Sequence, residues 1–467
     1  MGQIQVPMIR GDKVLDNGDY GDSIPINMVA VAREIKGAAG YLLSHDGLTL
    51  SYTGQGIDRG SIYNERWKRS FRVSGEKLIE ITGGGVVVIG DILGSSRCRF
   101  AYSFQSIMIV SSGNVYRYDG TTLTIMTDPD FGRPIDVWWV DQYYMFTDGE
   151  YLYHTDVNDE TSINPLKYAT SEISPDPTKA GGRTQDNLVI AFNRYTTEYF
   201  IDQANDNFAF SRINQKAVNV GIVSTGGWIE IKGRVYLLGS EKDERCSVHV
   251  LGAGQTESIS TRYIDGIIAT YSEDELSAAW IESRVDLQDK ILYLHLPNHV
   301  FCFNISIAEK MGKDVAWSEL RSPSDTPWRA CNGVYDVNLN AWYYGDKLGA
   351  NIGLLNSSTA GHYGVAVTSA WQTPLIPMEG LSITQLEINN ISGYGATDTA
   401  VFVSCTQDGI THDTEWSRYI EMALDYSMRY IVRRLGYVRK QIGFKFRTLN
   451  TEKINVSGLT VEHDGPG

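Results

Sequence analysis

Long apolar runs, paired cysteines and an excess of basic charge are all missing from this 467-residue chain. No stretch approaches the ~18 consecutive apolar residues that a membrane-spanning helix needs. The opening residues "MGQIQVPMIRGDKVLD" hold no apolar signal core, so the chain is expected to be made in the cytoplasm. Gly2 does not open a myristoylation site, because position 6 is Val rather than Ser or Thr. The five cysteines, at 98, 246, 302, 331 and 405, are scattered and odd in number, without a CxxC pair. That excludes a disulfide framework or a cysteine zinc site as the organising device and predicts buried, reduced thiols. A net charge of −15 argues against a general nucleic-acid binder while leaving room for a local basic strip. "TGGGVVVIG", from Thr82, lacks the Gly-Lys-Ser/Thr of a phosphate loop and reads as a turn.

Aromatic residues make up 11% of the chain, and there are 46 glycines, a mixture suited to many short strands joined by tight turns. "IMIVSSGNVYRYDG", from Ile107, reads as strand, turn at Ser111 to Asn114, strand, then a second turn at Asp119-Gly120. "YYMFTDGEYLYHTD" repeats the pattern, bending at Thr147-Asp148-Gly149. Equivalent units begin at Val73, Ile109, Met145, Ile190, Tyr236, Ile291 and Trp342, at intervals of 36, 36, 45, 46, 55 and 51 residues. A period of ~40–50 residues with several strands per unit is a propeller signature. Seven units fit a closed ring, and the uneven later spacing leaves six open as a count. Helix is scarce. Its best candidate is "YSEDELSAAWIESRV", with Ser272 as N-cap and Leu276, Ala279 and Trp280 on one face, placed in an insertion between blades.

From Val365 the rhythm changes to longer alternating strands: "SITQLEINNISGYG", "TAVFVSCTQDGIT", "QIGFKFRTL" and "INVSGLTVEH". The expected architecture is therefore all-β. It comprises an N-terminal arm that closes or clamps the ring (1–60), a β-propeller (61–360) and a C-terminal antiparallel β-sandwich (365–467).

Propellers can host glycosidases, which makes a carbohydrate-binding or glycoside-cleaving propeller the alternative reading. "SHDGLTL" and "TQDGITHDTEW" resemble Asp-box turns, but each lacks one residue of the Ser-x-Asp-x-Gly-x-Thr-Trp spacing and neither falls on the blade period. They read as structural Asp-Gly bends. No carboxylate pair is picked out for acid–base work. His295, His299 and Cys302 give H-x3-H-x2-C, yet Pro297-Asn298 between the histidines makes a hairpin rather than a helical ligand face. No catalytic residue, metal or cofactor is expected.

One basic stretch stands out, "MRYIVRRLGYVRKQIGFKFRT", carrying Arg429, Arg433, Arg434, Arg439, Lys440, Lys445 and Arg447. Either it is a solvated sandwich edge that discourages strand pairing, or it faces DNA or an acidic partner. Strand alternation would put Val438, Lys440 and Ile442 on one side and Tyr437, Arg439 and Gln441 on the other, so some cations must remain outside the core.

Three segments, "GDYGDSIPINMVAVAREIKGAAGYLLSHDGLT", "YLHLPNHVFCFN" and "LGYVRKQIGFKFRT", resemble the packaged DNA stabilization proteins of short-tailed enteric phages. This family is also known as tail accessory factors, tail hubs or head-completion proteins. The resemblance touches the arm, a late blade and the C-terminal domain, and none of its motifs is catalytic. It implies a virion-tail protein assembled in the host cytoplasm. Six copies would form a ring below the portal and its adaptor ring, retain the packaged DNA, receive the tail needle and carry tailspikes at the sides.

Overall fold

The computed structural model describes residues 2–8, 24–33, 40–157, 159–171, 173–252, 255–286, 289–390, 398–409, 411–421, 425 and 427–465. Seven four-stranded antiparallel sheets form the blades of a propeller. Blades 1 to 6 span residues 58–91, 99–125, 136–170, 178–212, 228–258 and 280–319. Blade 7 spans 330–356 and takes its outermost strand, Gly47–Thr53, from the start of the chain. The register runs from Asn351 opposite Thr53 to Asn356 opposite Gly47. Sealing the last blade with an early strand removes the open edges that would otherwise face solvent.

The repeat read from the sequence is the second strand of each blade. Val73, Ile109, Met145, Ile190, Tyr236, Ile291 and Trp342 all lie on it, one per blade. These strands are apolar on both faces, as in Ile107–Ser111 and Val189–Asn193, where every residue is buried. The reason is geometric, since each blade is covered by a neighbour on either side. The turns are those the sequence indicates. Ser112 and Gly113 both take positive φ (51° and 80°), as do Lys232 and Gly233 (52° and 77°), which matches the twist of the flanking strands. Asp148 closes its own bend by accepting from the Glu150 and Tyr151 amides.

The sandwich contains one sheet in the order Gly2–Pro7, Gly458–Asp464, Ser382–Asn389, Tyr430–Tyr437. Its second sheet runs Val367–Gln372, Gln441–Asn450, Thr399–Thr406, Trp416–Glu421. The arm therefore does more than close the ring. Gly2–Pro7 covers the edge of the strand Gly458–Asp464. Met28–Val31 and Tyr41–Ser44 form a small sheet with Asn455–Val456, so the chain passes through the sandwich before it reaches the propeller. The motif residues 9–23, 34–39 and 391–397 lie outside the described residues.

Six hydrophobic clusters each lie between adjacent blades. The cluster between blades 5 and 6 differs: it runs from Leu238, Leu294 and Trp317 through Met28 into Leu386, Phe446 and Val461 of the sandwich. Propeller and sandwich thus share one apolar core. The predicted helix does lie between blades 5 and 6, but it is short, Glu273–Leu276, closed by a Ser272–Glu275 capping box. Trp280 begins a blade strand instead of extending the helix, because its β register with His295 wins over local propensity. Arg262–Ile268 and Ile305–Met311 are further helices that the sequence reading missed. All five cysteines are free, four of them buried.

Candidate partner surface and a buried junction

The basic stretch does not form one strand. Tyr430–Tyr437 is an edge strand of one sheet, Gln441–Asn450 an interior strand of the other, and Arg439-Lys440 form the bend between them. The expected alternation from Tyr437 to Ile442 fails at that bend: Val438 and Ile442 are buried, whereas Lys440 is exposed beside Arg439. Two of the seven cations are matched by carboxylates. Arg429 makes a two-point pair with Glu387, and Arg447 pairs with Glu415 at 2.6 Å while lying over Phe402. Arg433 reaches only the Gln385 amide oxygen, at 3.3 Å. Among the described residues Arg433, Arg434, Arg439, Lys440 and Lys445 form no ion pair, and all five side chains are exposed. Arg434 sits at φ 62°, where the register between Ile383 and Gln385 shifts, so a bulge turns this edge outward. Arg439 and Lys440 also border a cleft of about 450 Å³ with Thr406, Asp408 and Asp413.

A buried polar junction at the meeting of arm, propeller and sandwich falls where the sequence indicates an ordinary turn. Asp46 sits between the small-sheet strand Tyr41–Ser44 and the closing strand Gly47–Thr53. It binds Arg284 of blade 6 at 2.7 Å and Lys453 of the sandwich, so one carboxylate ties three parts of the chain together. Burial would raise its pKa, but Lys453 and Arg284 overcome that and hold the carboxyl well below the usual range. Arg284 also pairs with Asp286, which accepts from the Trp342 indole at 2.9 Å. Beside it His45 bonds the Tyr293 hydroxyl at 3.1 Å and stands edge-on to Trp328; burial pushes its pKa down to about 4. Asn27 completes the seam, giving its side-chain amide to the Thr368 carbonyl and accepting from the Arg321 amide.

His295 and His299 flank a tight bend, with the Leu296 amide bonded to the His299 carbonyl. His295 is fully buried and stacked between Trp280 (4.5 Å) and Trp328 (6.1 Å), and its Nδ1 accepts from Lys347 at 2.8 Å. His299 turns outward to Glu319, 3.1 Å away. No group of three or more His, Cys, Asp or Glu side chains that could hold a metal ion occurs among the described residues. In the Asp-box-like segment near residue 408, Asp408 accepts from the Thr411 amide, a local bend.

The arrangement defines a class: an all-β protein of propeller and sandwich, fused through one core, with five unpaired cations exposed on the sandwich. Residues 4–360 match the family model described as the bacteriophage P22 Gp10 β-propeller, and residues 370–464 match its β-sandwich. The chain belongs to this family, as its resemblance to the packaged DNA stabilization proteins led one to expect. It is 28% identical to the tail hub protein gp10 of Salmonella phage P22 over 477 aligned residues, covering 98% of both chains. Among solved structures it is similar to the virginiamycin B lyase of Staphylococcus aureus. There the TM-score is 0.42 at 10% identity, covering 68% of this chain and 99% of that one. It also resembles the extracellular domain of a one-component system of B. thetaiotaomicron. That match has a TM-score of 0.43 at 11% identity and covers 89% of this chain and 58% of the other. Superpositions this loose say nothing about function.

Proposed function

We propose that this chain is a structural tail hub protein of a short-tailed phage, without catalytic activity. Six copies form a ring below the portal and its adaptor ring, close the channel, hold the packaged DNA inside and present the surface on which tail needle and tailspikes are mounted. The observation that carries this reading is similarity over 98% of the chain to a tail hub protein. The shared core supports it as well. A plug under pressure must transmit load between its domains, and here a continuous apolar cluster and the Asp46 ion pairs oppose independent motion.

In the same proposal the sandwich surface carrying Arg433, Arg434, Arg439, Lys440 and Lys445 contacts an acidic protein surface of a neighbouring ring rather than DNA. An acidic chain is a poor general ligand for DNA, and five exposed cations suit a carboxylate-bearing partner. The deciding experiment is to assemble particles without this protein. They are expected to fill with DNA and then lose it, and to regain retention when the protein is added. Stable retention by particles that lack both this chain and a substitute would refute the proposal.

A further inference from the structure

One mouth of the propeller axis is lined by Arg97, Arg99, Arg133, Ser112, Thr225 and Trp280 among others, around a cavity of about 690 Å³. The lining comes from the segments that lead into and begin the innermost strands of blades 2, 3, 5 and 6, and from Val110 and the Ser112-Gly113 turn of blade 2. Blades on opposite sides of a ring can line one cavity only at its axis. Three arginines meet there, and among the described residues no Asp or Glu contributes to the lining, in a chain of net charge −15.

Their hydrogen-bonding capacity is largely unspent. Arg97 stands over Trp280, 3.9 Å from the ring centroid, and gives one bond to Asn332 Oδ1 at 2.8 Å. Arg99 gives only its Nε to Asp136, at 2.7 Å. That carboxylate is already shared with the Val137 and Gly181 amides. Arg133 is exposed, and among the described residues it bonds to nothing. Trp280 is itself braced from beneath by the His295–Trp328 stack, so the floor that orients Arg97 is rigid.

We infer that this axial mouth is a receptor for an acidic peptide segment of a partner protein, whose carboxylates engage Arg97, Arg99 and Arg133. Guanidinium groups bind carboxylates through two parallel hydrogen bonds. The apolar part of the lining, Val110, Pro134, Ile135 and the Trp280 ring, suits the methylene stems of Glu side chains. A nucleic-acid strand is a poorer occupant. Its phosphates need cations spread along a track, whereas these three arginines converge on one cavity.

The test is fluorescence anisotropy of the full chain with labelled hexaglutamate, hexaglutamine and an oligothymidylate of equal charge. Hexaglutamate is expected to bind at low salt and to lose at least about tenfold in affinity in Arg133→Glu, a residue whose side chain holds nothing else in place. Hexaglutamine is expected not to bind. Lys216→Glu, which removes an exposed cation outside the lining, serves as the control and should bind hexaglutamate as the parent does. Loss in Arg133→Glu without loss in Lys216→Glu assigns the binding to the axial mouth. No hexaglutamate binding by the parent, unaltered binding by Arg133→Glu, or tighter binding of oligothymidylate would each overturn the assignment.

Discussion

Asp46 accepts from Arg284 at 2.7 Å, joining the connector that leads into the ring-closing strand to the innermost strand of blade 6. With Lys453 on its other oxygen, this carboxylate links arm, propeller and sandwich at a point where all three side chains are mostly buried. Removing one partner of such a set leaves uncompensated charge behind. Asp46→Ala is expected to cost about 3–5 kcal/mol. Denaturant unfolding measures this, and a loss below about 1 kcal/mol, the level of a surface pair, would show that the junction is solvated.

The same junction sets an acid response. The depressed pKa of His45 means that its unfolded form takes up a proton first as pH falls, so the unfolded state binds more protons between about 6.5 and about 4. Stability is therefore full above that window and declines through it. Asp46, whose carboxyl is held low, contributes above its ordinary pKa and loses its contribution only in stronger acid. His45→Gln should flatten the fall in melting temperature between pH 7 and pH 4.5. An unchanged slope would assign the response to other buried histidines such as His362, whose pKa burial lowers to about 3.

Cutting the chain at the expected domain boundary should separate strands that belong together. A fragment of residues 365–467 lacks Gly2–Pro7, Met28–Val31 and Tyr41–Ser44, leaving one edge of Gly458–Asp464 uncovered and Asn455–Val456 without its partner strand. Exposed strand edges template aggregation, so this fragment is expected to aggregate, and adding a peptide of residues 1–46 should rescue it. Size-exclusion chromatography checks both outcomes. A monomeric, folded fragment would show that the arm only decorates the sandwich.

On the sandwich edge, Arg433→Glu with Arg434→Glu should leave folding intact, because neither side chain is buried. Tail assembly on DNA-filled heads and DNA retention should both drop. By contrast Arg429→Gln or Arg447→Gln, which break exposed pairs with Glu387 and Glu415, should change stability by about 1 kcal/mol or less. Normal attachment by the double variant would leave this edge as a solvated one.

The purified protein should show no glycosidase, nuclease or ATPase turnover. A metal-dependent activity lost in His295→Ala with His299→Ala would contradict this. The structure makes such an activity unexpected at that pair, since His295 is sealed between two indoles while His299 faces Glu319.

Much of the fold was legible in the sequence because propeller blades are local. Strand, turn and strand follow one another within each unit, the two-faced burial of the second strand leaves an apolar run, and Ser112-Gly113 or Asp148-Gly149 marks each bend by its own backbone chemistry. Seven units could thus be found from Val73, Ile109 and their successors without knowing what any of them touches. What joins the units is not local. Asp46, Arg284 and Lys453 lie far apart in the chain, and each taken alone looks like a surface charge or a turn residue. Arg97, Arg99 and Arg133 converge only because the ring closes, and Gly2–Pro7 finds its place only against a strand at the opposite end of the chain. Periodicity and turn chemistry are written in neighbouring residues, so the sequence by itself determined the blades, the change of rhythm at the sandwich and the absence of an obvious catalytic motif. Only the tertiary structure decided the clasp, the buried ion pairs and the axial arginine mouth, because those depend on distances between segments that no short-range pattern encodes.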